Sequence, residues 1–417
     1  MSYAFGMVFL PFDETRFGNQ LQELDRYRAS LDARPLVMGW QGQLASDLMA
    51  EAIQASTNME GVPVTVEEVR RILAGDRPSN VTVEDASLVT GYADAMEYCQ
   101  RRADDDVFDW SPELIKAIQD KILAGRSDRG AGRYGRGRYV TDSLTGALIY
   151  TPPQENVGAL VTELCDQMNT WGKTLHPALA SAWVHVALAA IHPFKDGNGR
   201  TARVLASLAM YRGQFRRREF TSLEEWWGRH RVTYANAFKC LGSEFSRASD
   251  VTPFIEAHIG AQISQVRAIQ HVERTIREVW DGLVALATRL KLPPRTVVAM
   301  WDIFNGRSVT RPYYAVSVGL KEGTAKADLR VMAAVGILMP EGNTRARRWV
   351  EGPAFFPQLG GIFGVDPESS NKDSILASIS GRVMREAIEI ARSDTETFTS
   401  APAYNAPPSS AATSTGR

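Results

Sequence analysis

Apolar residues recur at helical spacing along most of this chain. In the segment 42–60 they are Leu44, Leu48, Met49 and Ile53. This spacing predicts one amphipathic helix over the segment. Thr65 followed by Glu68 has the pattern of a capping box, so a second helix is expected to begin there. The pattern therefore predicts a protein that is mainly α.

Local signals place two more helices and one hairpin. A helix is expected over about 83–102, and another begins at Ser111, which is followed by proline at the first helical position. Glycines and arginines interrupt the pattern at 124–138. Short apolar runs at 139–141 and 147–150 then flank a turn, which predicts a small β-hairpin.

The C-terminal third has a different order of elements. Helices are expected near 294–304, 311–317 and 324–332, and strands near 335–339 and 347–350. This order resembles a winged helix, with Arg345, Arg347 and Arg348 on the expected wing, where arginines can contact DNA phosphates. The helix at 324–332 carries few side chains that read bases. DNA binding is therefore kept as an alternative, and contact with a protein or packing within the chain is favoured.

Composition and charge are those of an ordinary water-soluble protein. The 417 residues carry a formal net charge of -1, with 44% hydrophobic and 23% charged residues, so whole-chain charge favours neither nucleic acid nor membrane. Cys99, Cys165 and Cys240 are far apart and form no metal-binding spacing. The N-terminus is a poor signal peptide and no apolar run is long enough for a bilayer. We expect a cytoplasmic location and no membrane partner.

The segment from His192 to Arg203, which reads HPFKDGNGRTAR, is the part of the chain richest in reactive groups. Helices are expected over 177–191 and 200–212, so its first half connects two buried helices. Glycines permit a tight turn in which the backbone comes close to a ligand. Free N–H groups of such a turn, at the start of a helix, bind anions.

The charged residues around this turn fit a polyphosphate. Arg200 and Arg203 are three residues apart, so they share one helix face, and their planar side chains suit phosphate oxygens. Asp196 fits an anion site if a divalent cation such as Mg²⁺ joins it to the phosphates. His192 can accept a proton near neutral pH. Each feature alone is typical of a structural role, but their combination predicts a nucleotide site that deprotonates a hydroxyl.

The same segment matches, at every fixed position, the Fic family motif His-x-Phe-x-Asp/Glu-Gly-Asn-Gly-Arg-x-x-Arg. The chain therefore resembles this family. The resemblance implies a helical bundle with a β-hairpin flap, and transfer of AMP from ATP to a Tyr, Thr or Ser hydroxyl of a target protein. It implies that His192 is the general base, that Asp196 holds Mg²⁺ and that Phe194 is a buried anchor.

The resemblance also implies the nucleotide contacts. In the motif these are Asp196, Gly197, Asn198, Gly199, Arg200, Thr201 and Arg203, with Arg203 on the γ-phosphate. The hairpin with Val140 and Thr141 resembles the family's flap, which pairs with the target's backbone, and these two residues are also expected to contact the nucleotide. Tyr234 is expected to line the adenine pocket, although many relatives have two adjacent tyrosines where this chain has Thr233-Tyr234. The arginines between 126 and 138 could contact phosphates or an acidic target, but a solvated loop is favoured.

An inhibitory segment is predicted at the end of the 42–60 helix. Residues 56–61 read Ser-Thr-Asn-Met-Glu-Gly, which resembles the family's inhibitory motif Ser/Thr-x-x-x-Glu-Gly/Asn. Ser56 and Glu60 are four apart and share a helix face. The resemblance implies that Glu60 pairs with Arg203 and occupies the place of the γ-phosphate.

The predicted organisation follows from these breaks and from the resemblance. It has an N-terminal helical region (1–110), a Fic catalytic core (111–262), a connecting helix (263–290), a winged-helix-like domain (291–352), a C-terminal helical segment (353–396) and a disordered tail (397–417). Expected partners are ATP, Mg²⁺ and a target protein, including the chain itself, and a homodimer is an open alternative. The alternatives in function are another group transfer, removal of AMP, or a DNA-binding regulator with a nucleotide-sensing Fic domain.

Overall fold

A computed structural model describes residues 9–32, 40–141, 146–216, 223–342 and 347–381, without the side chains of 31–32, 40–48, 269 and 272–273. The chain divides into two compact units, with the division between Gln270 and His271. The predicted mainly helical fold is confirmed. Among the described residues, no helix combines the length and the apolar character needed to cross a bilayer.

The first unit is helical around a buried central pair. Its helices are α1 (Gly18–Asp32), α2 (Trp40–Met59), α3 (Val66–Leu73), α4 (Val83–Ala103), α5 (Pro112–Ile122), α6 (Val157–Asn169), α7 (Pro177–Ile191), α8 (Asn198–Arg212), α9 (Leu223–Arg229), α10 (Arg231–Ala237) and the first part of α11 (Thr252–Arg289). Helices α7 and α8 pack against each other and are buried on nearly every side. Such all-round burial explains why α7 is apolar throughout.

Two helix starts in this unit follow the predicted chemistry. Thr65 and Glu68 form both hydrogen bonds of a capping box before α3. Ser111 accepts a hydrogen bond from the Leu114 N–H at the start of α5. These bonds satisfy backbone donors that a helix N-terminus leaves without intrahelical partners.

The predicted hairpin is present beside the central pair. Strands β1 (Val140–Thr141) and β2 (Leu148–Tyr150) are antiparallel, with Val140 opposite Tyr150. The Tyr150 hydroxyl donates to the Ala190 carbonyl at 2.9 Å, which fixes the hairpin to the end of α7. The connecting turn at 142–145 lies outside the described residues.

The structure differs from the prediction along α11. The expected connecting helix at 263–290 is instead part of one helix from Thr252 to Arg289. The buried positions Ile255, Ile259, Ile263 and Val266 continue across the expected break. Since no proline interrupts this stretch, one apolar stripe sustains one helix. The domain boundaries themselves remain a prediction.

The second unit places helices and strands close to the predicted positions. They are α12 (Val297–Phe304), α13 (Arg311–Ser317), α14 (Glu322–Ala334), β3 (Leu338–Glu341), β4 (Arg348–Glu351), α15 (Phe355–Ile362) and a helix over 372–381. Strands β3 and β4 are antiparallel, and Val309 bridges to Trp349. The first strand begins later than the expected 335, because Gly336 has a positive φ of 77° and ends α14.

Some features expected in this unit stay predictions. The winged-helix assignment remains a prediction. Arg345, residues 382–396 of the predicted C-terminal helical segment and the tail at 397–417 lie outside the described residues.

Candidate functional site

A tight loop between α7 and α8 forms the centre of the site. His192 ends α7 in the left-handed conformation, with φ 48°, and its N–H donates to the Leu188 carbonyl at 2.8 Å. The Asn198 amide bonds the Phe194 N–H and carbonyl at 2.9 and 2.8 Å. Phe194 is buried and lies 5.7 Å from the Tyr134 ring. The loop is therefore held in shape by its own side chains.

Gly197 and Thr201 complete this loop. Gly197 has φ 80°, a conformation that glycine adopts without strain. The Thr201 hydroxyl donates to the Gly197 carbonyl at 2.8 Å. Asn198 and Thr201, both predicted to touch the nucleotide, thus use their side chains within the loop. Their backbone N–H groups lie at the start of α8, where a helix favours anions.

Arg200 and Asp196 lie together at this helix start. Arg200 is buried and its Nη2 lies 3.2 Å from Asp196 Oδ1. Within the described residues, Arg200 Nε and Nη1 have no hydrogen-bond partner. Buried guanidinium nitrogens without a partner favour a ligand with negatively charged oxygens.

The prediction of a solvated loop for the arginine-rich segment is wrong for Arg138. Arg138 is buried and donates to the carbonyls of Ile191, His192 and Pro153. It therefore ties the hairpin base to the C-terminus of α7, whose free carbonyls it satisfies.

Arg126 and Arg129 of the same segment also form defined contacts. Arg129 Nη1 lies 3.0 Å from Asp196 Oδ2, and both arginines pair with Glu84. Only the neighbours Arg133 and Arg136 are exposed as expected. The segment therefore supplies part of the site's charge balance.

His192 is partly buried, with Arg138 and Glu60 as its charged neighbours. Burial, with the Arg138 charge, lowers its pKa to about 4, against a hydrogen bond to Ala189 and the Glu60 charge, which act in the opposite direction. The imidazole is therefore neutral near neutral pH and able to accept a proton.

Arg203 brings the end of α2 to the site. Its Nε donates to Ser56 Oγ at 3.0 Å, and its Nη2 donates to the Ser56 carbonyl at 3.2 Å and to Glu60 Oε1 at 3.0 Å. A Cβ added to Gly199 would lie 2.7 Å from Glu60 Oε1, so the carboxylate sits directly over this glycine. The residues predicted as an inhibitory pair are thus in direct contact.

Tyr234 lies behind Arg203. Its hydroxyl accepts from Arg203 Nη1 at 3.4 Å and lies 3.1 Å from His185 Nε2. Val140 and Thr141 form β1, just after Arg138. Tyr92 and Glu224, which also lie behind Arg203, carry no sequence signal that would have identified them, because each is isolated within its own helix.

Comparisons with known proteins agree with this geometry. The Fic/DOC family model matches residues 109–210. The chain is 25% identical over 211 residues to a protein adenylyltransferase Fic of Drosophila yakuba, covering 50% of this chain and 40% of the relative. It therefore spans less than half the length of this curated relative.

Two solved structures share the fold. A Fic family protein from Desulfovibrio desulfuricans G20 has a TM-score of 0.52 at 20% identity, covering 80% of this chain and 95% of that chain. A Fic domain containing signaling protein from Bacteroides thetaiotaomicron VPI-5482 has a TM-score of 0.51 at 22% identity, covering 60% and 94%. The loop, the matched family model and these folds agree: residues 109–210 of this chain form a Fic/DOC domain.

Proposed function

We propose that this chain transfers AMP from ATP to a hydroxyl side chain of a protein, and that Glu60 inhibits the transfer. The observation that carries the proposal is the pair of buried arginines at the start of α8. Arg200 has nitrogens without a partner among the described residues, and Arg203 is paired with the partly exposed Glu60. The Drosophila relative's name, protein adenylyltransferase, supports the same reaction.

The phosphates are expected to bind along the start of α8. Backbone N–H groups next to Gly197 and Gly199 donate to the α and β phosphates, as helix N-termini do with anions. Arg200 adds a buried positive charge there. Arg203 takes the γ-phosphate through Nη2, the nitrogen that Glu60 now occupies.

Asp196 is the residue that would hold Mg²⁺. A single carboxylate fits this role, because Mg²⁺ commonly takes one or two carboxylates and completes its shell with phosphate oxygens and water. Its Oδ2 now contacts Arg129 Nη1 at 3.0 Å, so this arginine must share or leave that oxygen. Bound Mg²⁺ would neutralise part of the phosphate charge.

The chemical step needs a proton acceptor next to the target's hydroxyl. The hydroxyl oxygen attacks the α-phosphorus, its proton passes to a ring nitrogen of His192, and the bond from the α-phosphorus to the bridging oxygen of the β-phosphate breaks to release diphosphate. The low pKa of His192, about 4, keeps the base neutral before attack. Arg138 holds the His192 carbonyl and so supports the position of the imidazole.

Inhibition follows from charge and space. The Glu60 carboxylate lies over Gly199 and on Arg203 Nη2. A γ-phosphate in this place would meet a negative charge and an arginine that is already paired. Withdrawal of the end of α2 would free Arg203.

The test compares wild type, Glu60→Ala and Glu60→Ala/His192→Ala with ATP labelled on either the α- or the γ-phosphate. We expect label from the α-phosphate on the protein in Glu60→Ala, about tenfold to a hundredfold above wild type, the range for a charge-assisted hydrogen bond. The double variant should lose about 10²-fold or more of this, as expected for a general base.

The matched control is Glu67→Ala, which removes an exposed glutamate of α3 that contacts Arg70. It should label like wild type. Transfer of the γ-label would replace AMP transfer with phosphate transfer. Equal labelling with and without His192 would remove this residue as the base, and equal labelling of wild type and Glu60→Ala would remove the inhibition.

A further inference from the structure

Arg203 has a second carboxyl group behind it, which belongs to Glu224 of α9. Glu224 is fully buried, and its Oε1 accepts a hydrogen bond from the Tyr92 hydroxyl at 2.7 Å. Tyr92 belongs to α4, is also fully buried, and forms a hydrogen bond with the Ser56 hydroxyl. Since Ser56 contacts Arg203, these residues form one hydrogen-bonded series from the arginine to Glu224.

Every hydrogen bond in this series is donated in the direction of Glu224. Arg203 has only donors, so Ser56 Oγ accepts from its Nε. Tyr92 gives its one proton to Glu224, so its oxygen accepts the Ser56 proton. An ordered row of donors that ends on a carboxyl group stabilises negative charge there and holds the positive guanidinium at the other end.

A second hydrogen-bonded series begins at Nη1 of Arg203. Its Nη1 donates to the Tyr234 oxygen, so the Tyr234 proton goes to His185 Nε2. The neutral His185 therefore carries its proton on Nδ1, which has no partner within the described part of the chain. His185 and Glu224 line the same cavity.

This cavity has room and partners for water. Its volume of about 10 Å³ suits a single water molecule, and polar groups of His185, Glu224 and Gln262 are part of its otherwise mostly apolar lining. Trp227 also lines it, and the donors Trp227 Nε1 and Gln262 Nε2 have no hydrogen-bond partner among the described residues. The acceptor Glu224 Oε2 has none there either. A water that accepts from His185 Nδ1 and donates to Glu224 Oε2 would join the second hydrogen-bonded series to the same carboxyl group.

Front and back of Arg203 therefore differ in access. Glu60 is partly exposed to solvent, whereas Glu224 is fully buried beside a cavity lined by residues of α7, α8, α9 and α11. Burial raises the pKa of Glu224, and the Tyr92 hydrogen bond and the Arg203 charge act against this. A phosphate can replace Glu60 but cannot reach Glu224.

We propose that Glu224 is a positioning residue, which acts through Tyr92 and Ser56 to hold Arg203 in the orientation that binds the γ-phosphate once Glu60 has withdrawn. This inference rests on the proposed function, because it takes Arg203 as the residue that distinguishes ATP from ADP. Glu224 touches no substrate. Its effect must therefore appear in nucleotide discrimination and not in the chemistry.

The experiment measures the Kd of ATP and ADP, and kcat and KM for ATP, in the Glu60→Ala background. Glu224→Gln keeps an oxygen that can accept from Tyr92 but removes the charge. We expect it to weaken ATP binding about tenfold, the size of one charge-assisted hydrogen bond, with ADP unchanged. The KM for ATP should rise with kcat nearly constant, and Tyr92→Phe should change the ATP to ADP ratio in the same direction.

Two controls separate the outcomes. Glu225→Gln changes the next glutamate of α9, which contacts Arg229 and Gln265, and should leave the ratio unchanged. Arg203→Ala should abolish the preference for ATP. If it does so while Glu224→Gln and Tyr92→Phe keep the parent's ratio, or weaken both nucleotides equally, the positioning role is wrong and the proposed function stands. If the parent itself does not prefer ATP over ADP, the γ-phosphate role of Arg203 fails, and the inference fails with it.

Discussion

Two ion pairs, one in each unit, differ in which partner is buried. The arginine is buried in the pair of Arg203 with Glu60, and the carboxylate is buried in the pair of Arg295 with Asp328. In the first unit the side chain of Arg203 is 3% exposed and that of Glu60 is 25% exposed, and a single contact of 3.0 Å joins them. In the second unit the side chain of Arg295 is 40% exposed and that of Asp328 is 5% exposed. Two contacts of 2.7 and 2.9 Å join this second pair.

The difference indicates which pair can open. Asp328 is a buried anion that also accepts from Tyr314 at 3.1 Å, so it depends on Arg295 for its charge balance. Arg203 keeps Ser56 and Tyr234 when Glu60 leaves. The leaving partner is the exposed one, which water can solvate. The first pair is therefore suited to exchange its carboxylate for a phosphate. The second pair is suited to hold α14 to the segment just before α12.

The largest expected effect is that of Arg295→Ala. It leaves the Asp328 carboxylate buried without its cation, which costs about 3 kcal/mol of unfolding free energy in the second unit. Glu60→Ala removes a partly exposed partner and should cost less than about 1 kcal/mol in the first unit. Hydrogen exchange of peptides from α14 and from α8 measures both. Equal losses in the two variants would contradict the comparison.

The next largest effect is expected from acid, which should destabilise the first unit more than the second. Burial lowers the pKa of His192 to about 4 and of His258 to about 3, and that of His185 well below its usual value. Since the unfolded chain protonates near pH 6.5, the unfolded state binds more protons below that pH. Stability of the first unit therefore falls as pH decreases from 6.5 toward about 3 to 4.

The second unit serves as the internal control for this prediction, because its single histidine, His271, is exposed. His258→Gln should recover about 2 kcal/mol of the loss at pH 5, the share of one histidine with so low a pKa. The measurement is chemical denaturation at pH 7 and 5, with exchange in α8 and α14 as local probes. An unchanged pH dependence in the variant would show that His258 is protonated when folded.

Sequence alone predicted the parts of the site that are local. The segment from His192 to Arg203 places its turn and its arginines within two turns of one helix, so spacing was sufficient. The contact between Glu60 and Arg203 joins residues far apart in sequence, and only the resemblance to a family indicated it. Helix starts such as Thr65 were also predictable, because a cap depends on neighbours three residues away.

The remaining parts depend on tertiary structure. Arg138 looks like the exposed Arg133 and Arg136 in a glycine-rich run, and only the carbonyls of Ile191 and His192 distinguish it. The continuity of α11 depended on burial along its whole length. Tyr92 and Glu224 meet only after α4 and α9 have packed, so no local pattern could have paired them.

A smaller effect is expected from the glycine that ends α2. Gly61 has φ 86° and open space around its Cα, so Gly61→Ala introduces backbone strain of about 1 kcal/mol without a clash. The strain should loosen the segment that carries Glu60 and raise AMP transfer about fivefold. Gly75→Ala is the matched control, because Gly75 ends α3 with φ 85° and equal space. A rise in both variants, or in neither, would show that the conformation at the end of α2 does not control the rate of AMP transfer.

The smallest effect is expected for the ion pair between Arg348 and Glu341 across the β3–β4 hairpin. Both side chains are about half exposed, at 55% and 51%, so water solvates either partner when the other is removed. Glu341→Gln should change the unfolding free energy of the second unit by less than about 0.5 kcal/mol. This variant lies in the same unit as Arg295→Ala and removes the same kind of pair. A loss comparable to that of Arg295→Ala, measured by exchange in α14, would mean that pairing itself and not burial of one partner sets the stability.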